Sequence, residues 1–187
     1  GNVIYKNVKQ RAAVSDKKVV RIKTMGGAID VNHAMHGADV MTMGGNIHVH
    51  TAKEFVKAKT MGGNITIDNI DGYVKANTMA GKIKVTMTGD PKKKKRHVWL
   101  VSGSGDIKLT IPKGLSMDIE LEIAFNKHSA GNYRFFTPFK IDETHTDQWH
   151  IVKGEAKKYV YGKTIVGNGK HKIKISTKNG NIYMEEK

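Results

Sequence analysis

Four copies of one phrase stand in register along the first half of the chain. They are Thr24-Met25-Gly26-Gly27-Ala28-Ile29, Thr42-Met43-Gly44-Gly45-Asn46-Ile47, Thr60-Met61-Gly62-Gly63-Asn64-Ile65 and Thr78-Met79-Ala80-Gly81-Lys82-Ile83. The threonines fall at 24, 42, 60 and 78, so the period is 18 residues without slippage. A fixed period of this size marks a stacked repeat, in which a unit buries its apolar face only against its neighbours.

Within a copy, Asn46-Ile47-His48-Val49-His50 alternates polar and apolar with the period of a half-buried strand. A polar break, Thr51-Ala52-Lys53-Glu54, precedes a second alternating run, Phe55-Val56-Lys57-Ala58-Lys59-Thr60. Met61-Gly62-Gly63 closes the unit, giving strand, turn, strand, turn. Gly45 and Gly63 are expected to take positive φ or to permit close backbone stacking.

Stacking the copies produces columns. Ile29, Ile47, Ile65 and Ile83 align, as do Val31, Val49, Ile67 and Val85. On the second strand Val20, Ala38, Val56 and Val74 align, and so do Ile22, Val40, Ala58 and Ala76. These columns face inward, while Asp30, His48, Thr66, Lys84 and Arg21, Asp39, Lys57, Lys75 face outward. The predicted fold is all-β: a single-stranded parallel β-solenoid, or β-helix, of 18-residue coils. Its rungs would lie about 4.8 Å apart. The threonines read as a buried ladder beside the turn, and Met25, Met43, Met61 and Met79 as packing at a corner.

Ser102-Gly103-Ser104-Gly105-Asp106-Ile107 is a degenerate fifth copy. It is delayed by an insertion holding Gly89-Asp90-Pro91 and the basic run Lys92, Lys93, Lys94, Lys95, Arg96. Met117 to Ile123 is a clean alternating strand, and Thr177-Lys178-Asn179-Gly180-Asn181-Ile182 is a further copy. One domain over 1–187 follows, with regular coils at about 18–123 and a final coil at about 170–187. Between them an irregular, aromatic-rich excursion at about 124–169 is expected to cover the C-terminal end, since open ends expose unpaired backbone.

The repeated phrase, with its echoes at Ser102–Ile107 and Ser176–Ile182, resembles the bacterial adhesin family of β-solenoid domains. These are also described as toast-rack-like domains of unknown function and are common in Bacteroidetes. The likeness covers nearly the whole chain. It implies an exported, cell-envelope protein made with a signal sequence or lipid anchor, although no signal pattern is present in this sequence. It carries over no catalytic or binding residue.

Composition narrows the function further. Zero cysteines exclude disulfides and thiol chemistry. No apolar run approaches the length of a membrane-spanning helix. A net charge of +15 implies attraction to polyanions such as acidic glycans or anionic lipid. Lys57, Lys75, Lys82, Lys84, Lys92, Lys93, Lys94, Lys95 and Arg96 are the candidate contacts. No aromatic platform interleaves with the lysine run, so no specific nucleic acid is expected.

Other clusters are weighed against plainer readings. His48 and His50 point outward near Asp30 and Asp68, with Asp30 beside His48 and Asp68 beside His50, and His33 with His36 forms a second cluster. Outward columns fill with polar residues anyway, so no metal or cofactor is expected. Asp68-Asn69-Ile70-Asp71-Gly72 lacks calcium-loop spacing and reads as a turn. Glu120 and Glu122 are the best carboxylate pair, yet alternating glutamates are ordinary on a solvent face, so no catalytic residue is assigned. The expected role is a non-catalytic envelope or surface protein, an adhesin or scaffold. A polyanion-binding module is the alternative, and a glycan-active enzyme the third reading.

Overall fold

The computed structural model describes residues 3–5, 10–12, 18–129, 131 and 133–187. Its first strands are β1 (Val3–Tyr5), β2 (Gln10–Ala12), β3 (Val20–Thr24), β4 (Ile29–Ala34), β5 (Ala38–Thr42), β6 (Ile47–Thr60) and β7 (Ile65–Thr78). Then come β8 (Ile83–Met87), β9 (Val98–Ser102), β10 (Ile107–Ile111) and β11 (Met117–Asn126). β12 (Phe135–Phe136), β13 (Asp142–His145), β14 (His150–Val152), β15 (Glu155–Val166), β16 (His171–Lys178) and β17 (Ile182–Glu186) complete the chain. The protein is all-β, one curled sheet with mixed pairing.

The columns read from the sequence are present. β4, β6, β7 and β8 pair in parallel and set Ile29, Ile47, Ile65 and Ile83 side by side. β3, β5, the second half of β6, β7 and β9 do the same for Val20, Ala38, Val56, Val74 and Val98. All of these side chains are buried in one core, and Ile47 and Val49 are 0% exposed. His48 between them stays on the outside.

The Thr51–Glu54 break does not interrupt β6, which runs through it with Glu54 at φ 66°. Asp68–Gly72, expected as a turn, likewise lies inside β7. The β6–β7 ladder runs through both stretches, while the β7–β8 pairing shifts register between Ile67 and Ile70, so these polar residues lie within strands rather than loops.

The threonines and asparagines of the repeated phrase each have a bond to make. Thr42, Thr60 and Thr78 are buried, and each donates from Oγ1 to a glycine carbonyl one rung back. The acceptors are Gly27 at 3.0 Å, Gly45 at 2.8 Å and Gly63 at 2.8 Å. Ser102 continues the series onto Gly81. Asn46 Oδ1 accepts from the Asn64 amide at 2.8 Å, and Asn64 Oδ1 from the Lys82 amide at 2.7 Å. The turns are thus stitched rung to rung by side chains where strand pairing stops.

Close stacking, not positive φ, is what Gly45 and Gly63 supply. A Cβ at Gly45 would sit 1.9 Å from the Gly27 carbonyl oxygen, and one at Gly63 would sit 2.1 Å from that of Gly45. The methionine column departs from expectation. Met25, Met43, Met61 and Met79 are exposed, because the turn that buries threonine throws the next side chain outward.

The C-terminal part is ordered differently from the chain. β16 pairs with β9 in parallel, and β17 with β10, so Ile173 lies beside Val98 and Ile182 beside Ile107. β11, expected to end the regular coils, instead lies outside β16 and pairs with it in parallel. β15 runs antiparallel along β11, and β13 and β14 run antiparallel along β15. The last coil in sequence is therefore wedged between the fifth copy and the excursion, and the excursion forms the outer edge. This antiparallel edge departs from an all-parallel coil.

Candidate functional site

The basic residues separate into four environments. Arg96, expected as a surface contact, is 0% exposed. It donates from Nη2 to Asp71 Oδ1 at 2.6 Å and to the Asp90 carbonyl at 2.9 Å, and from Nη1 to the Thr88 carbonyl at 2.5 Å. An arginine whose donors are consumed in this way anchors the insertion and is closed to a ligand. Lys94 is tied to Glu54 at 2.7 Å, a hydrogen bond that raises its pKa, and Lys93 lies 3.7 Å from Asp90. Lys92 and Lys95 share the same surface turn. Lys82 lies 3.5 Å from Asp106, and Lys84 is exposed on β8, on the first strand of the coil. Lys57 and Lys75 pair on the second strand, so they do not share a face with Lys82 and Lys84.

Behind Arg96 sits His171, 1% exposed. Its Nδ1 accepts from the Arg96 amide at 3.2 Å, which puts the proton on Nε2, an atom with no well-formed hydrogen-bond partner. Burial first, and the Lys170 charge second, lower its pKa from 6.5, with the Pro91 backbone pulling weakly the other way. The folded chain thus resists protonating His171 while the unfolded chain does not. Its contribution to stability is complete above 6.5 and lost as pH falls from there toward the lowered folded value. Urea midpoints measured at pH 7.5 and 5.5 should fall more steeply for the native chain than for His171→Gln. Equal slopes would assign the acid sensitivity elsewhere.

Lys57 and Lys75 lead onto a feature the charge reading missed. In the outward column they are followed by Trp99 on β9, Lys174 on β16 and Glu120 on β11. Trp99 is 53% exposed, and the Lys75 ammonium stands 5.3 Å from its ring centroid. One step along the strands, Phe55 stacks on Tyr73 at 5.4 Å, with Lys57 over Phe55.

Two hollows flank the indole. One of about 420 Å³ is lined by Tyr73, Val74, Lys75, His97, Val98, Trp99, Lys172 and Lys174. The other, of about 340 Å³, includes Trp99, Glu120, Glu122, Tyr161, Lys163 and Lys174. Glu120 is bonded to Lys174 at 2.8 Å, which holds its carboxyl below the usual range, and Glu122 accepts from the Ser176 hydroxyl at 3.1 Å. The signal for this face was legible: Val98-Trp99-Leu100 alternates, and that alternation puts the tryptophan outside.

On the first strand face, the shortest contacts of His48 and His50 with Asp30 and Asp68 run crosswise, although His50 also meets Asp68 as the columns suggested. His48 Nε2 lies 2.6 Å from Asp68 Oδ2, and His50 Nε2 lies 3.1 Å from Asp30 Oδ1. His50 Nδ1 is also 3.4 Å from Asp68 Oδ2. His33 and His36 are both exposed.

The family model Toastrack DUF4097 matches residues 2–185. The chain belongs to this family. Toastrack DUF4097 is a family of unknown function, so membership agrees with the all-β curled sheet and leaves the chemistry to the residues. Neither a curated protein nor a solved structure matches the chain. Among the described residues no helix is long and apolar enough to cross a membrane.

Proposed function

We propose that this Toastrack DUF4097 chain is a non-catalytic envelope or surface protein that binds acidic glycans on the Trp99 face. The half-exposed indole set among Lys75, Lys172 and Lys174 carries the reading. A sugar ring presents an apolar C–H face to the indole, and its carboxylate or sulfate finds ammonium groups within reach on either side. The net charge of +15 attracts such a chain from a distance. The scaffold suits this role if the 18-residue period is one turn of a single-stranded parallel coil, because successive turns then add to a flat face. An envelope location draws its support from the likeness to exported toast-rack-like domains.

A glycan-active enzyme fits less well. A general acid needs a raised carboxyl pKa, and Lys174 pushes Glu120 the other way.

Binding of a heparin-derived oligosaccharide, measured calorimetrically at rising salt, tests the reading. Affinity should fall with ionic strength, and Trp99→Ala should weaken it roughly tenfold. If replacing Lys92 to Lys95 with serine abolishes binding while Trp99→Ala leaves it intact, the Trp99 face is not the site.

A further inference from the structure

We propose that Asp30, His48, His50 and Asp68 form a surface site for a divalent transition-metal ion, Zn²⁺ first. His48 and His50 are two residues apart on β6, so both project from the same side of one strand. β4 brings Asp30 opposite His48, and β7 carries Asp68 on the other flank. Three consecutive rungs therefore deliver four donor side chains to one spot.

The donors converge rather than merely neighbour one another. One ligand atom each from Asp30, His48 and His50 lies within 4.8 Å of the others. The two imidazole centroids are 3.8 Å apart, and both nitrogens of His50 face carboxylates. Bonds of about 2.0–2.2 Å to a tetrahedral zinc put ligand atoms a little over 3 Å apart, within small side-chain rotations of the spacings found here. Side-chain exposures of 36 to 41% leave one side open to water, which suits an additional coordination position.

The repeat itself does not ask for these residues. Equivalent places on the neighbouring rungs hold Thr66 and Lys84 beside the His48 column, and Asn32 and Thr86 beside the His50 column. Any soluble side chain satisfies an outward position, yet here two histidines and two aspartates are gathered on adjacent rungs. Imidazole nitrogen with carboxylate oxygen selects zinc-class ions over Mg²⁺ or Ca²⁺, which favour all-oxygen sites. Asp68, bridging toward both rings, either completes the ligand set or orients them through their second nitrogens.

Titration calorimetry of the whole chain with zinc chloride tests this, alongside thermal melting with and without the metal. The expected result is one ion per chain and a higher melting temperature with zinc. His48→Ala and His50→Ala should each weaken binding at least tenfold, and the double substitution should remove both the heat and the thermal shift. Magnesium chloride should give neither. Because all four side chains reach solvent, the apo variants should melt like the native chain, so loss of binding is separable from loss of fold. An unchanged stoichiometry in the double variant, or no zinc binding by the native chain, overturns the assignment.

Discussion

Ile47→Asp should leave the chain unfolded across several coils at once, without a native-like melting transition. Ile47 is fully enclosed between Ile29 and Ile65. Losing it forfeits about 1.5–3 kcal/mol of burial, and an unpaired carboxylate in its place adds several kcal/mol of desolvation. Ordinary domains hold only about 5–15 kcal/mol in reserve. Stacked coils also share their interfaces, so one failed rung weakens those on either side. Lys84→Asp, on the outside of the same wall, should change the urea midpoint little. Comparable losses from both would mean that the inward columns are not what holds the stack.

A second large effect needs only one methyl group. Gly45→Ala drives its Cβ to 1.9 Å from the Gly27 carbonyl oxygen and 2.6 Å from the Ala28 amide nitrogen. Backbone stacked on backbone has no flexible end to give way, so two turns must separate, at a cost on the order of 3 kcal/mol. The adjacent Gly44→Ala meets nothing within 4 Å. There the smaller entropy of the unfolded alanine chain should stabilise by about 0.4–1 kcal/mol. Chemical denaturation of the two variants should thus move in opposite directions from the native midpoint. Equal behaviour would remove the stacking account of the Gly-Gly pair.

Strictly periodic features were legible in the sequence. Alternation fixed which side of Ile47, Val49 and Val56 faces the core, because a slip of one residue would invert every column. The threonine ladder followed from the same row. What failed to show was anything set by partners distant in sequence. Arg96 looks like the end of a solvated lysine run, and only the fold brings Asp71 to it from 25 residues away. The methionines read as packing because they are apolar, whereas the turn geometry puts them outside. At the candidate site, charge singles out Lys57 and Lys75 in the sequence, but Trp99, Lys172 and Lys174 come together only when β16 is placed beside β9. The crossing of His48 to Asp68 is a matter of side-chain torsions, which column alignment does not contain.

The wedged position of β16 and β17 separates contacts that are local in sequence from contacts that are not. Early coils close on partners one period away, a short loop with a small entropic cost. The last coil instead meets residues 75 positions earlier, as the bond from the Asn181 amide to Asp106 illustrates. Until it arrives, β9 and β10 present bare parallel edges, and β11 has β15 but no seat on the stack. β16 is thus the strand that joins β11, and β15 with it, to the stack. Contacts of this separation are expected to form later than those between adjacent repeats. Covering the edges of β9 and β10 with β16 and β17 also removes them as templates for a strand from a second molecule.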